Sequence, residues 1–211
     1  MSRESTLRKV RSALGIRQVE KPPHVRLSVV EMPRQTRIES LLERVAALAG
    51  KTLQATPAQA RDYVASLIAG KSCIASNAPF LAECGITNLE NVRSGITNRE
   101  ELREICRTAD YGITSADYAL AATGTLVMLS SPREARMISL LPPAHIAIVP
   151  AGKILTSLDE LLTILPQPAE QTSSMVLITG PSRTGDIEQI LVRGVHGPGE
   201  IHVIVVDDTA Y

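Results

Sequence analysis

Residues 175–191 read MVLITGPSRTGDIEQIL, an apolar run that breaks into Gly180-Pro181-Ser182-Arg183-Thr184-Gly185-Asp186 and resumes with helical spacing. If 175–179 is a strand and Asp186 opens a helix, the intervening loop leaves several backbone N–H groups free to face an anion. Ser182 and Thr184 add hydroxyl donors. The Arg183 guanidinium is a planar fork that matches a carboxylate or phosphate through two hydrogen bonds. Ser, Gly and Pro are equally the residues of plain turns, so a loop that only reverses the chain stands beside the ligand-binding one. The Gly-x-x-x-x-Gly-Lys-Ser/Thr pattern of a nucleotide phosphate loop is absent.

Two further segments carry polar groups at chain reversals. In ITSADYALAATGTLVMLSS (113–131) the turn Thr123-Gly124-Thr125 leads into an apolar run. Gly124 suits either a positive φ or a close backbone approach. The spacing predicts a short helix near Ser115–Ala121, which makes Asp117 either a helix-start carboxylate or a ligand or catalytic group. In RGVHGPGEIHVIVVDD (193–208) His196 stands between glycine-containing turns and can act as acid, base or anion donor. A lone histidine is as readily structural, and His145 and His202, at or within strand candidates, read as core or edge residues. His196 and Asp117 are thus the catalytic candidates. No His-Glu spacing suggests a metal site, and no Gly-x-Ser-x-Gly elbow is present.

The elements that position these loops follow from periodicity. Apolar residues at Ile38, Leu41, Leu42, Val45 and Leu48 predict a helix ending near Gly50. Thr56-Pro57-Ala58-Gln59 has a capping box with Pro at the first helical position and opens a helix to Gly70. A strand at 72–75, a short helix at 79–83 and a helix opened by Thr97-Asn98-Arg99-Glu100 follow. The later half offers strands at 125–130, 145–150, 175–179 and 201–206, separated by helical patterns at 133–140, 157–165 and 186–193. Ser131-Pro132-Arg133-Glu134 reads as the cap of the first of these. Continuous apolar strands alternating with helices predict an α/β fold, a mainly parallel sheet covered on both faces. Ligands in such sheets lie beyond the carboxyl ends of the strands, so the 180–185 loop is expected there.

Residues 1–35 read as an N-terminal amphipathic helix, with Leu7, Val10 and Leu14 on one face, followed by an extended proline-containing arm; 36–211 form the main domain. Equal numbers of basic and acidic residues, 22 each, give no net charge and so no broad attraction to nucleic acid or anionic membrane. Aromatic residues are 2% of the chain, too few for base-stacking platforms. Cys73, Cys84 and Cys106 stand apart without a C-x-x-C pair, which argues against disulfides, zinc or an iron-sulfur cluster in this chain. No run reaches the roughly 18 apolar residues of a membrane span. A cytoplasmic protein is expected.

GITSADYALAATGTLVMLSS, SLLPPAHIAIVP and ITGPSRTGDIEQILVRGVHGPGEIHVIVVDD together resemble the lactate utilization protein C family, or LUD domain, over about residues 36–208. The resemblance implies a three-layer α/β/α fold similar to the NagB, ribose-5-phosphate isomerase and CoA-transferase group. It implies an accessory or regulatory role in oxidising L-lactate to pyruvate, beside iron-sulfur partner proteins that hold the clusters, with no cofactor in this chain. A stand-alone enzyme acting on a phosphorylated, acyl or folate-type substrate, as in the fold relatives, is the alternative. The residues characteristic of the family fall on Thr114, Asp117, Thr123, Gly124, Thr125, Ser182, Arg183, Asp186 and His196. With Gly180 and Thr184, those of the 123–125 and 180–186 loops are the expected contacts of a small anionic ligand. Ala122 departs from the pattern, for many relatives carry Glu there. Homo-oligomerisation is left open by the sequence.

Overall fold

The computed structural model describes residues 3–15, 30–185, 191–194 and 196–207. The helices are α1 (Arg3–Leu14), α2 (Arg34–Ala47), α3 (Pro57–Leu67), α4 (Pro79–Glu83), α5 (Arg99–Thr108), α6 (Arg136–Leu140), α7 (Leu158–Ile164) and α8 (Pro168–Gln171). The strands are β1 (Lys51–Ala55), β2 (Cys73–Ala75), β3 (Val92–Arg93), β4 (Tyr111–Ser115), β5 (Tyr118–Leu120), β6 (Thr125–Leu129), β7 (Ala144–Pro150), β8 (Ile154–Leu155), β9 (Met175–Ile178), β10 (Arg183–Gly185), β11 (Leu191–Arg193) and β12 (Glu200–Val206). The main sheet runs β1-β12-β7-β4-β2-β3 with every neighbouring pair parallel. A second sheet, β8-β5-β6-β9, is mixed, and β10 pairs antiparallel with β11.

Apart from His145 in β7 and Glu200 and His202 in β12, the two central strands are apolar throughout, because both of their faces are covered. Ile146 and Ile148 of β7 and Ile204 and Val206 of β12 pack with Ala60 and Val64 of α3 and Leu81 of α4. The alternate residues Ala147, Val149, Val203 and Val205 pack on the other face with Ile38, Leu41 and Val45 of α2. Each fully buried Val or Ile contributes about 1.5–3 kcal/mol by leaving water. The second face is shared: Leu126 and Met128 of β6 join α2 in covering it. The chain therefore has a mainly parallel central sheet flanked by helices, with a smaller sheet stacked against part of one face.

Several helix starts form as the side chains dictate. Thr56 and Gln59 close a reciprocal capping box at α3, and Ser157 caps α7. At α5 the cap is Asn98, whose side chain accepts from the N–H groups of Glu100 and Glu101. Four expectations need correction. The candidates at 125–130 and 175–179 are strands of the second sheet, not of the parallel one. The segment predicted as a helix near Ser115–Ala121 contains β5, whose Ala119 and Leu120 are buried against β6 and β8. Leu191–Arg193 is a strand facing β10, not the end of a 186–193 helix. Ser131 Oγ accepts from the N–H groups of Arg133 and Glu134, but it caps a turn, and α6 begins only at Arg136.

Leu7, Val10 and Leu14 of α1 are exposed, and the three cysteines are free and buried. Among the described residues no helix is long and apolar enough to cross a membrane.

Candidate functional site

The 180–185 loop sits at the opposite edge of the parallel sheet from the one expected. It leaves β9, which runs antiparallel to β6 in the second sheet. Ser182 N–H donates to Pro198 O at 2.8 Å, and Gly199 N–H donates to Pro143 O at 2.9 Å, just before β7 starts. These bonds hold the loop beside the amino ends of β7 and β12. There, a cavity of about 450 Å³ is lined by Gly180, Ser182, Arg183, His196, Ile201 and His145 among others. Its wall also includes Val176–Thr179 from the second sheet.

Ser182 is half-buried, while Arg183 and His196 are exposed. The Arg183 Nη2 donates to the carbonyl of Leu48, just past the end of α2. One of its five donors is therefore engaged with the protein, which fixes the guanidinium at the cavity wall. Asp186 and the side chain of Thr184 lie outside the described residues.

Sequence reasoning passed over His145 as a core or edge residue. It is wholly buried, yet it lines this cavity. Its Nε2 lies 2.8 Å from Thr114 Oγ1, and its Nδ1 has no hydrogen-bond partner. Burial, with a smaller contribution from nearby His202, pulls its pKa down to about 4 and keeps the ring neutral. If Thr114 donates to Nε2, the ring proton resides on Nδ1, which is then a buried donor without a partner. The only signal in the sequence is a histidine near the first position of an otherwise apolar strand.

The Thr123-Gly124-Thr125 turn packs on α2. Gly124 has φ +67°, and a Cβ there would stand 2.8 Å from Arg44 Cβ and 3.0 Å from its carbonyl carbon. The hydroxyls form a chain, Thr123 to Thr125 at 2.7 Å and Thr125 to Thr179 at 2.8 Å. Thr179 lines the cavity, so this turn reaches the 180–183 loop through one side chain. Ala122, the position at which the sequence departs from the pattern of the family it resembles, is exposed.

Asp117 lies elsewhere. It faces a second cavity of about 330 Å³, lined by Ser115, Asp117, Arg133, Glu134, Pro150 and Lys153 among others. Strand β4 ends at Ser115 and β7 at Pro150, so this cavity occupies the carboxyl edge. His196 and Asp117, the two acid/base candidates, thus line different cavities. Asp117 Oδ2 accepts from Leu129 N–H at 2.7 Å, and burial raises its carboxyl above the ordinary value. Glu134, unremarked in the sequence except as a cap, is 6% exposed, and neither carboxyl oxygen has a well-formed hydrogen bond. Burial pushes its pKa up to about 8, with the Asp117 charge adding to the rise and Ser76 and the Ser115 backbone opposing it. Among the described residues no group of three or more His, Cys, Asp or Glu is arranged to hold a metal.

Comparison with known proteins places this geometry in a family. The chain is 37% identical over 158 residues to lactate utilization protein C of Halalkalibacterium halodurans, covering 71% of this chain and 69% of that protein. It is 37% identical over 149 residues to lactate utilization protein C 1 of Bacillus mycoides, covering 65% and 64%. With lactate utilization protein C of Bacillus subtilis it shares 40% identity over 113 residues, covering 52% and 47%. The matched stretch thus spans between about half and two thirds of these relatives' own lengths. A crystal structure of a DUF162 family protein from Deinococcus radiodurans superposes with a TM-score of 0.64 at 18% identity, covering 83% of this chain and 99% of that one. That likeness concerns the fold alone. The family model described as the LUD domain matches residues 38–206, and the chain belongs to that family.

Proposed function

We propose that this chain takes part in lactate utilization as an accessory or regulatory subunit of L-lactate oxidation, and that it binds a small anion in the amino-edge cavity. The observation that carries the reading is its similarity to proteins named lactate utilization protein C. On this reading the chain works in the cytoplasm beside iron-sulfur proteins that carry the redox clusters, and holds no cofactor itself. The anion would meet Arg183, the Ser182 hydroxyl and His196 at the mouth, with the neutral His145 ring in the wall behind them. The Thr123-Gly124-Thr125 turn supports that wall through Thr179, and Gly180 shapes the loop.

The role is tested by deleting the gene in its host. Growth on L-lactate should be lost, and the tagged chain should co-purify with iron-sulfur proteins. Normal growth on L-lactate in a host without another lactate oxidase overturns the reading. For the ligand, inorganic phosphate serves as probe: at about 100 times its dissociation constant it should stabilise the chain by roughly 2.7 kcal/mol. Arg183→Ala should abolish that gain with little change in the melting temperature of the free protein. A lowered melting temperature with an unaltered phosphate response would make Arg183 structural only.

A stand-alone enzyme is the second reading, favoured by one observation: Asp117 and the buried Glu134 share a cavity at the carboxyl edge, where α/β enzymes place their chemistry. Turnover of a phosphorylated, acyl or folate-type substrate by the purified chain would support it.

A further inference from the structure

We propose that the free edge of β9 takes up an extended, acidic segment of a partner protein as an added strand, with alternate side chains of that segment entering the amino-edge cavity. Arg183 links this to the anion-binding reading, on which it rests in one respect: the anion that Arg183 meets is a carboxylate of the segment. A role in lactate utilization is not required for it.

Strand β9 is an outermost strand of the second sheet. Its register with β6 fixes which backbone groups are already spent. Ser130 N–H donates to Ser174 O at 2.9 Å, and the register that sets Met128 opposite Val176 and Leu126 opposite Ile178 sets Ser130 opposite Ser174. Hydrogen-bonded pairs alternate in an antiparallel ladder, so Val176 and Ile178 turn their N–H and C=O groups to β6, while Met175 and Leu177 turn theirs outward. The other side of β6 shows the same alternation, for Leu129 N–H points away from β9 to Asp117 Oδ2. Among the described residues none pairs with the outward edge. Proteins blunt such edges with charge, proline or brevity. The other edges of the two sheets follow that rule, since β3 and β8 are two residues long and β1 carries Lys51. Strand β9 has four apolar residues, MVLI, and its Leu177 is 44% exposed.

The surroundings of this edge select its occupant. Val176, Leu177 and Ile178 line the amino-edge cavity together with Leu48, Leu140 and Ile201, so alternate side chains of an added strand meet apolar walls. Leu140 also borders a neighbouring cavity of about 680 Å³ that takes in Ser173 and Arg136, so open space adjoins β9 toward both of its ends. Each end has an exposed arginine. Arg136 Nη1 donates to Ser174 Oγ at 3.2 Å beside the start of β9, and Arg183 lies beyond its end at the cavity wall. Among the described residues neither pairs with a carboxylate. Carboxylates on the segment would supply the counter-charge. The same two cations argue against a second copy of this chain, because antiparallel self-pairing of β9 would bring Arg136 of one copy toward Arg183 of the other.

The probe is the acetylated and amidated peptide Glu-Val-Thr-Val-Thr-Val-Glu, with its apolar side chains on one face and a carboxylate at each end. In calorimetric titration of the full chain it should bind saturably below about 1 mM, and the same peptide with Lys at both ends should bind about tenfold more weakly or worse. Leu177→Pro removes an outward N–H and leaves the ladder to β6 intact, so circular dichroism should be unchanged while affinity falls about tenfold. Amide exchange needs no variant and serves if Leu177→Pro does not fold: in the free chain Leu177 should exchange faster than Val176 and Ile178, and the peptide should slow it. Arg136→Gln, at an exposed position, should weaken binding about threefold. Absence of saturable binding, equal affinity for the Lys-ended peptide, unchanged affinity in a folded Leu177→Pro, or Leu177 exchange that the peptide does not slow overturns the assignment. Protection of Leu177 that grows with protein concentration alone would give the edge to a second copy and also overturn it. Stabilisation by phosphate without peptide binding would leave the anion reading standing and refute the added strand.

Discussion

Gly112→Ala should destabilise the fold by about 3–5 kcal/mol, a large share of the roughly 5–15 kcal/mol that holds a domain together. Gly112 lies in β4, paired with Ile74 of β2 and His145 of β7, and it has no positive φ. What requires glycine is the helix above it. A Cβ there would stand 1.8 Å from the carbonyl oxygen of Ile138, 2.9 Å from its carbonyl carbon and 3.1 Å from Pro142 Cγ. Carbon and oxygen ordinarily approach to about 3.3 Å, so α6 would have to lift by roughly 1.5 Å. That displacement pulls Ile138 out of its cluster with Ile74, Leu102 and Cys106, adding lost burial to the overpacking. Gly70 is the control: φ is +69°, and nothing lies within 4 Å of an added Cβ. Gly70→Ala should therefore show left-handed strain alone, about 1–2 kcal/mol. Urea unfolding followed by circular dichroism measures both, provided that the slope with denaturant is unchanged. The steric account is refuted if Gly112→Ala costs no more than Gly70→Ala.

Two buried groups should give stability a pH dependence of opposite signs. Glu134 binds its proton more tightly in the fold, so its contribution is full below about pH 4.5 and falls as pH rises to about 8, by about 3–6 kcal/mol; Glu134→Gln should remove that alkaline loss in urea titrations repeated across pH. His145 binds its proton more weakly in the fold, so its contribution is present above about pH 6.5 and falls as pH drops to about 4, a limb that should persist in Glu134→Gln. Asn98→Ala removes the cap of α5 and should cost about 1 kcal/mol in the same assay. Cys73, with its pKa pushed to about 12, and Cys84 and Cys106, each pushed to about 11, should resist a thiol reagent at pH 8 until the chain unfolds; prompt labelling of the native protein would contradict their burial.

The start of α3 was legible because one side chain, Thr56, sets its geometry; at α5 the box at 97–100 marked the place, but the cap is Asn98, one residue beyond Thr97. The sheet to which a strand belongs was not legible. TLVML reads like HIAIVP and IHVIVV because β6, too, is covered on both faces, whereas MVLI is equally apolar in the edge strand β9 although its Leu177 is exposed. Leu126 and Met128 face α2 and the parallel sheet, whereas Val127 packs with Leu161 and Leu165 beneath α7. Continuous apolar sequence marks a strand candidate and says nothing of which sheet, or what, covers its faces. The alanine-rich stretch around Ser115–Ala121 favours helix locally, but pairing with β6 and β8 overrides that preference.

The same ambiguity decided how much of the candidate site was legible. Reading 175–179 as a parallel strand put Gly180 to Gly185 at the carboxyl edge; once that strand pairs antiparallel with β6, the loop falls at the amino edge beside His145. The carboxyl edge is instead occupied by Asp117 and Glu134, and Glu134 drew notice only as a cap because its burial depends on contacts distant in sequence. Strand β7 joins the two cavities, with His145 near one end and Pro150 at the other. Five residue steps of about 3.3 Å separate these positions by roughly 16 Å, beyond direct contact and beyond a Debye length of about 8 Å for charges at the solvent-facing mouths. Arg183 and His196 at one mouth therefore exert little direct field on Lys153 and Arg133 at the other. Coupling between occupants of the two cavities would have to pass through the packing of β7 and its neighbours, where Ile146, Ala147, Ile148 and Val149 are wholly buried and have little room to shift.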